Sequence, residues 1–540
     1  MSVSPDHLIA APILIPFFAG ALILLYDERQ RRTKLAIGVT SVTAALAVSV
    51  LLLVRFAADA PTSGSNVGVY LLGDWAAFFG IVLVADPLSA IMLVLASLLA
   101  LPALIYSTAG WHRQGQHFHA MVQFLLMGLN GAFLTGDLFN LFVFFEILLA
   151  ASYGLLLHGG GRFRVQAGLH YIALNLTGSL LFLVGVSLIY GVTGTLNMAH
   201  LSTLVANLPE QQRTLFHAAA AMMALAFLLK AGIWPMSFWL PTAYMAGAAP
   251  VSALFAIMTK VGVYALIRLS FLLFGAEAGA SAGFGATVLI AGGMATLAFG
   301  VLGILASQGL GRMAGHLVLA SSGTTLAAAG FVLAGAAPQI LAGAFFYLFS
   351  STLATSALFL LIEPMSREEG GIAALLALTA DSYGLDDLEE EMQPETGIAI
   401  PRTVAVLGLC FGTCVIALAG LPPLSGFIGK VGILRGLLAT ETYPLLNWTF
   451  VALLFLSGFA TLIAMARIGI QTFWAAEGQA PNVFVLEIAP IIAILSVLLL
   501  LTVNAEATLK YMQETADAVL QPLSYSQGVL AAPRAAAGGQ

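Results

Sequence analysis

Apolar stretches of eighteen or more residues recur from one end of this 540-residue chain to the other. Each is long enough to cross the hydrocarbon layer of a bilayer as a helix, so the chain reads as a polytopic membrane protein. Strand-length alternation is not evident, so helices rather than a barrel are expected to satisfy the backbone in lipid. Only 9% of the residues are charged, against about 25% in a soluble globular protein. There is no basic stripe suited to nucleic acid, and the net charge of −6 says little about function.

Fourteen spans are expected, at about 8–26, 35–54, 83–108, 117–135, 138–157, 166–192, 216–241, 247–272, 284–305, 312–334, 338–363, 402–438, 447–472 and 484–504. The first lacks a basic leader and a small-residue cleavage site, so it reads as an uncleaved span. Arg29, Arg31, Arg32 and Lys34 fall between spans one and two, Arg162 and Arg164 between five and six, and Arg312 between nine and ten. Under this count all three loops share one side. The excess of lysine and arginine makes that side cytoplasmic and puts both termini outside. The loop 366–401 on the same side holds nine of the 26 acidic residues. It reads as a solvated loop, with a docking site for a basic partner or a cation-gathering surface as the functional alternatives. Cys410 and Cys414, the only cysteines, read as small core residues.

Spans seven and twelve are interrupted by proline. "AGIWPMS" at 231–237 and "AGLPPLS" at 419–425 share four of seven positions. Five spans separate them, so they run in opposite senses. That is the signature of an inverted repeat relating spans four to eight with nine to thirteen. Pro235, Pro422 and Pro423 free carbonyls at membrane depth, and such backbone is tolerated only where protein or water satisfies it. Residues 1–110 then form three leading spans, 117–272 the first repeat, 284–472 the second, and 484–540 a last span and tail.

Four charges lie deep inside spans: Glu146 in "LFVFFEILLA", Lys230 in "LAFLLKAGIW", Lys260 in "LFAIMTKVGVYAL" and Lys430 in "LSGFIGKVGILRG". A charge at the bilayer centre costs about 2.5–3.5 kcal/mol even on the lenient insertion scale. Any one of them can be a structural ion pair, but the set points to a proton or ion pathway. Glu146 and Lys230 form the natural acid–base pair, with Lys260 and Lys430 continuing the line. Weaker relay or gate candidates are Asp137, equally a helix-start anion, His170 and His316, each equally a hydrogen-bonded packing histidine, and Ser322 and Thr355. Ser321, Thr324 and Thr325 can hold water along span ten, and Ser350, Ser351 and Thr352 line span eleven. Asp86 in "ADPLS" reads as a helix cap. Arg268 and Arg467 lie near span ends and are expected to snorkel.

These stretches resemble the antiporter-like membrane subunits shared by respiratory complex I, membrane hydrogenases and Mrp-type (Mnh/Pha) cation/proton antiporters. The resemblance covers nearly the whole chain. It is carried by "LTGDLFNLFVFFEILLAASYGLL", "FLLKAGIWPMSFWLPTAYMAGAAPVSALFAIMTKVGVYALIRL", "LAGLPPLSGFIGKVGIL" and the tail "ATLKYMQETADAVLQPLSYSQGVL". Within the family the D-subunit branch is the most similar. The resemblance implies an all-α fold of about fourteen helices with broken helices seven and twelve. It assigns proton translocation to Glu146, Lys230, Lys260 and Lys430. It also implies a secondary transporter rather than an enzyme, in a bacterial inner membrane. That transporter exchanges Na+ or another monovalent cation for H+ without cofactor or metal, assembled with Mrp subunits A, B, C, E, F and G. The alternative is a proton-pumping subunit of complex I or a hydrogenase, and a third reading is a non-transporting scaffold. Complex I relatives carry histidine and lysine in span eleven where this chain has "SSTLATSALF", with Thr355 at the lysine position. Ser322 stands where some relatives have histidine. The second-half relay is therefore expected to run through water and hydroxyls.

Overall fold

The computed structural model describes residues 5–56, 67–366, 402–440, 444–473 and 483–533. Helices dominate, because in lipid they satisfy each N–H and C=O within their own segment. In chain order they are α1 (Ala11–Leu25), α2 (Arg31–Arg55), α3 (Pro87–Ser107), α4 (Phe118–Leu134), α5 (Leu138–Leu156), α6 (Arg162–Thr193), α7 (Met198–Val205), α8 (Glu210–Ala231), α9 (Trp239–Ala246) and α10 (Ala249–Phe255). The second half continues with α11 (Met258–Phe274), α12 (Ala286–Ala306), α13 (Leu310–Leu333), α14 (Gln339–Ser366), α15 (Arg402–Ala419), α16 (Ser425–Leu438), α17 (Pro444–Phe473), α18 (Val485–Val503), α19 (Ala505–Val519) and α20 (Pro522–Leu530). Among the described residues, twelve helical segments are long and apolar enough to cross a membrane, and α1 and α4 are shorter apolar helices. The acidic stretch 367–401 lies outside the described residues.

Local sequence explains many boundaries. Asp86 caps α3 by accepting from the Ser89 N–H at 2.9 Å, and the Ser89 hydroxyl accepts from the Asp86 N–H at 2.8 Å. Pro87 opens the helix where a missing N–H does no harm. Asp137 caps α5 by accepting from the Asn140 N–H at 2.9 Å, which gives this candidate gate residue a structural task.

One expected span begins differently. A small antiparallel hairpin is present, with β1 (Gly68–Leu71) paired to β2 (Val82–Ala85) in the register Gly68↔Ala85. Span three therefore enters as a strand before it becomes helix. Span eight crosses as Ala249–Phe274, with a local irregularity between α10, ending at Phe255, and α11, starting at Met258: Ala256 and Ile257 keep right-handed helical backbone, and neither glycine nor proline marks the gap.

The packing defines two faces. On one, the N-terminal turn Pro5–Ile9 and the C-terminal helix α20 both meet β1, and α20 also packs on α7 and α11. This is the terminal face, and it carries both ends of the described chain. The opposite, loop face joins connections that are remote in sequence. Glu28 accepts from the His117 N–H at 3.3 Å, His158 Nε2 meets the Trp111 carbonyl at 2.8 Å, and Trp111 Nε1 donates to Glu363 at 2.6 Å. Arg164 donates to the Ala246 carbonyl at 2.9 Å, and Gly311 lies against Met245. The three basic loops therefore share this face, as the span count requires. Lys34 is not a free loop charge, however: it is buried and paired with Glu28 at 2.8 Å.

Candidate functional site

The two proline breaks have the same backbone design. Helix α8 ends at Ala231 and α15 at Ala419, and each is followed by a glycine in the left-handed region, Gly232 at φ 75° and Gly420 at φ 74°. Such a glycine is the common way to end a helix. The Ile233 N–H then donates to the Leu228 carbonyl, and the Leu421 N–H to the Ile416 carbonyl, both at 3.0 Å. The Trp234–Pro235 and Pro422–Pro423 peptide bonds are both cis. Each break leaves a helix C-terminus inside the protein, and its unpaired carbonyls favour positive charge.

A lysine ammonium stands near each of these ends. Lys230, buried in the last turn of α8, donates to Asn175 Oδ1 on α6 at 3.3 Å and lies 5.7 Å from the centre of the Tyr171 ring. Lys430 sits on α16, after its break, yet its Nζ reaches back to the Ala419 carbonyl at 2.9 Å and to Ser457 Oγ at 3.5 Å. The two halves thus carry their lysines on opposite sides of equivalent breaks, and Lys430 alone bonds a helix-end carbonyl among the described residues.

Lys260 occupies the first turn of α11, directly after the unpredicted gap. It is 1% exposed, too little to hydrate an ammonium from bulk water. Its Nζ donates to Ser321 Oγ and Ser322 Oγ on α13, each at 3.0 Å. Among the described residues it has no acidic partner within ion-pair distance. Gly262, two residues on, packs against α8 so closely that a Cβ there would come within 3.2 Å of Lys230 Cβ. The first two lysines are thereby brought onto touching helix turns. Beyond Lys260, Ser321 Oγ meets Ser351 Oγ at 2.7 Å, and the neighbouring Ser350 Oγ meets Ser425 Oγ at 2.7 Å. Ser425 opens α16, which carries Lys430. Hydroxyls therefore occupy the line between Lys260 and Lys430 in two hydrogen-bonded pairs. Thr355 Oγ1 flanks that line, bonded at 2.6 Å to the Ser351 carbonyl.

Glu146 lies on α5 near a small cavity lined by Phe145, Leu149, Asn175, Ser179, Phe182 and Lys230. Among the described residues no direct ion pair joins it to Lys230, and its Oε1 is buried without a hydrogen-bond partner. The carboxylate shares a helix stripe with Phe139 and Val143, which are 51% and 37% exposed. One side of Glu146 thus faces the Lys230 region and the other reaches the perimeter.

The remaining candidates stand apart. His170 is exposed on α6, with Nδ1 at 3.0 Å from the Gln166 carbonyl. His316 is buried on α13 beside the Phe299 ring, and its Nδ1 has no partner. Neither joins the lysines through a hydrogen bond. Arg268 does not snorkel: it is buried and forms a two-pronged ion pair with Asp86, Nη1–Oδ2 at 2.6 Å and Nη2–Oδ1 at 2.7 Å. Arg467 spans to the α12 end, donating to the Leu305 and Ser307 carbonyls at 3.1 and 2.5 Å. Sequence reasoning missed Asn175, Ser425 and Ser457. Only Asn175, a lone amide within "YIALNLTG", leaves a local signal.

Comparison with known proteins identifies the family. Residues 135–457 match the family described as NADH:quinone oxidoreductase/Mrp antiporter, transmembrane. The probable D subunit of a K+/H+ antiporter from Rhizobium meliloti is 55% identical, over 98% of each chain. The D subunit of a Na+/H+ antiporter from Alkalihalophilus pseudofirmus is 34% identical, over 97% of this chain and 99% of its own. A chain in the structure of the Mrp complex from Dietzia sp. superposes with a TM-score of 0.81 at 25% identity, covering 98% of this chain and all of that one. The chain therefore belongs to the NADH:quinone oxidoreductase/Mrp antiporter family of membrane subunits, in its D-subunit branch.

Proposed function

We propose that this protein is the D subunit of a multisubunit monovalent cation/proton antiporter and that Glu146, Lys230, Lys260 and Lys430 carry its proton limb. The observation that carries the reading is the placement of the three lysines. Two stand near the carbonyl ends of equivalent broken helices. The third lies between them, tied only to hydroxyls that lead on toward Lys430. A lysine held by neutral partners can release its proton without leaving an unpaired carboxylate. An ionised Glu146 favours the ammonium of Lys230, and protonation of Glu146 removes that attraction, freeing the proton to pass along the line.

The inverted pairing of spans four to eight with nine to thirteen is supported by the matching bonds at the two breaks. Assembly with Mrp subunits A, B, C, E, F and G is supported by the D-subunit relatives. It is supported too by the perimeter position of Glu146, because a carboxylate facing lipid is costly and a neighbouring subunit would cover it. The basic loops favour a cytoplasmic loop face and an outer terminal face in a bacterial inner membrane. The relatives' names include both K+ and Na+, so either cation fits.

The test is cation-driven proton movement in everted vesicles holding the whole complex, with K+ and Na+ compared. Glu146→Ala, Lys230→Ala and Lys260→Ala should each lower exchange by roughly 100-fold in assembled complexes. Wild-type exchange in all three leaves a scaffold. Proton movement that instead follows electron transfer identifies a redox-driven pump.

A further inference from the structure

The buried Asp86–Arg268 pair has no part in the relay above, yet its surroundings give it one. On α11, Lys260, Tyr264, Ile267 and Arg268 fall at helical spacings that share a face. Arg268 lies eight residues toward the terminal face from Lys260, or about 12 Å along the helix. Between them is a small cavity with room for about one water molecule, lined by Leu88 and Met92 of α3, Tyr264 and Ile267 of α11, and Phe345 and Leu348 of α14. At its inner end the Leu348 carbonyl accepts from Ser351 Oγ at 3.3 Å, and Ser351 meets Ser321, the partner of Lys260. At its outer end stands the ion pair. Arg268 is faced by Tyr264 of α11 and Tyr525 of α20, whose ring centres lie 5.5 and 5.3 Å from its guanidinium carbon, and it donates to the Tyr264 hydroxyl at 3.4 Å. The helix α19 packs on α3, α11 and α14, the same three helices that line the cavity. Tyr511 ties it to the Leu53 carbonyl at 3.3 Å, and Ser526 ties α20 to Ser202 at 2.5 Å.

We propose that Asp86 and Arg268 gate a half-channel between α3, α11 and α14 that joins the terminal face to Lys260, with the C-terminal helices as its cover. The gate rests on the reading of Lys260 as a proton carrier. A proton arriving from the terminal face bonds to a carboxylate oxygen of Asp86 and abolishes its charge, so the attraction that holds Arg268 is lost and water enters the cavity. Asp86 then gives that proton to the cavity water and regains its charge. The hydroxyls of Ser351 and Ser321 each accept one proton and pass on their own, and the neutral amine of Lys260 takes the last. One proton moves inward, the ion pair re-forms, and no bond other than O–H and N–H changes.

The experiment asks whether the cavity opens when the pair is broken. In the whole complex, with Cys410→Ser and Cys414→Ser removing the native thiols, Met92→Cys reports access by reacting with a membrane-impermeant cationic methanethiosulfonate. Labelling from the terminal face should be slow with the pair intact and about tenfold faster with Asp86→Asn. Arg268→Lys and Tyr525→Leu, which weaken the pair or uncover it, should accelerate labelling in the same sense. They serve as the test if Asp86→Asn does not assemble. Unchanged labelling in the assembled variants, or faster labelling from the loop face, overturns the gate. If labelling accelerates while Lys260→Ala leaves exchange intact, the half-channel stands and the relay reading fails. If Lys260→Ala abolishes exchange while labelling ignores the pair, the relay stands and the gate fails.

Discussion

The ammonium of Lys430 donates to the carbonyl of Ala419 at 2.9 Å, across the break between α15 and α16. Gly420 makes that reach possible. A Cβ at Gly420 would lie 2.7 Å from Lys430 Cδ, and its φ of 74° is one that other residues adopt at a cost of about 1–2 kcal/mol. Gly420→Ala should displace the ammonium and lower exchange about tenfold in the assembled complex. Gly412→Ala, on the same helix pair but with open space around it, should leave exchange unchanged. Equal activity in both variants would show that the Ala419 contact has no role in transport.

Asn175 is the only hydrogen-bond partner of the Lys230 ammonium among the described residues. A hydrogen bond to a charged group contributes about 2 kcal/mol, or about 30-fold in the balance between charged and neutral forms. Asn175→Leu should therefore reduce exchange and alter its pH profile while the complex still assembles. Asn175→Gln, which keeps an amide, should restore part of it. A profile identical to wild type in Asn175→Leu would remove Asn175 from the site.

The hydroxyl line makes a prediction about coupling rather than size. Ser321→Ala and Ser351→Ala delete two ends of one 2.7 Å contact, so their effects on exchange should overlap instead of adding. Ser321→Ala combined with Ser322→Ala strips Lys260 of both oxygen partners and should be the most damaging pair. Strict additivity of Ser321→Ala and Ser351→Ala, measured in a double-mutant cycle of exchange rates, would break the line.

What the sequence disclosed follows from how local each signal is. Lys230, Lys260 and Lys430 are legible because a charge in an apolar run stands out wherever the chain folds. The breaks at Pro235 and Pro422 are legible because proline acts on its own backbone. The carbonyl of Ala419 leaves no trace, since every residue has one. The gap before Lys260 contains neither glycine nor proline, and only tertiary packing places it. Arg268 reads as a snorkelling side chain in the sequence because its partner, Asp86, is 182 residues away and already has an explanation as a helix cap.

That pair also bears on stability. Removing one member of a buried ion pair leaves an uncompensated charge and costs about 3–5 kcal/mol. Arg268→Leu and Asp86→Leu should each lower the melting temperature of the purified complex markedly. The double substitution should recover much of the loss, because no charge is then left unpaired. A double variant whose loss equals the sum of the two single losses would show that the two side chains do not stabilise one another.

Acid should loosen the loop face before it disturbs the transmembrane core. Burial alone would raise the Glu28 carboxyl, but the Lys34 ammonium at 2.8 Å and the His117 N–H and ring outweigh it and hold the carboxyl below its ordinary value of 4.5. A group depressed in the folded state contributes its full stabilisation above the unfolded value. That contribution is lost as pH falls from 4.5 through the lower folded value, which detaches the α1–α2 turn from the start of α4. Hydrogen–deuterium exchange of amides 30–34, corrected for the intrinsic pH dependence, should therefore rise in that window and stay flat above it. Lys34→Met removes the main cause of the shift, so it should raise exchange at neutral pH and flatten the response. A wild-type response that survives Lys34→Met unchanged would assign the acid sensitivity to another group.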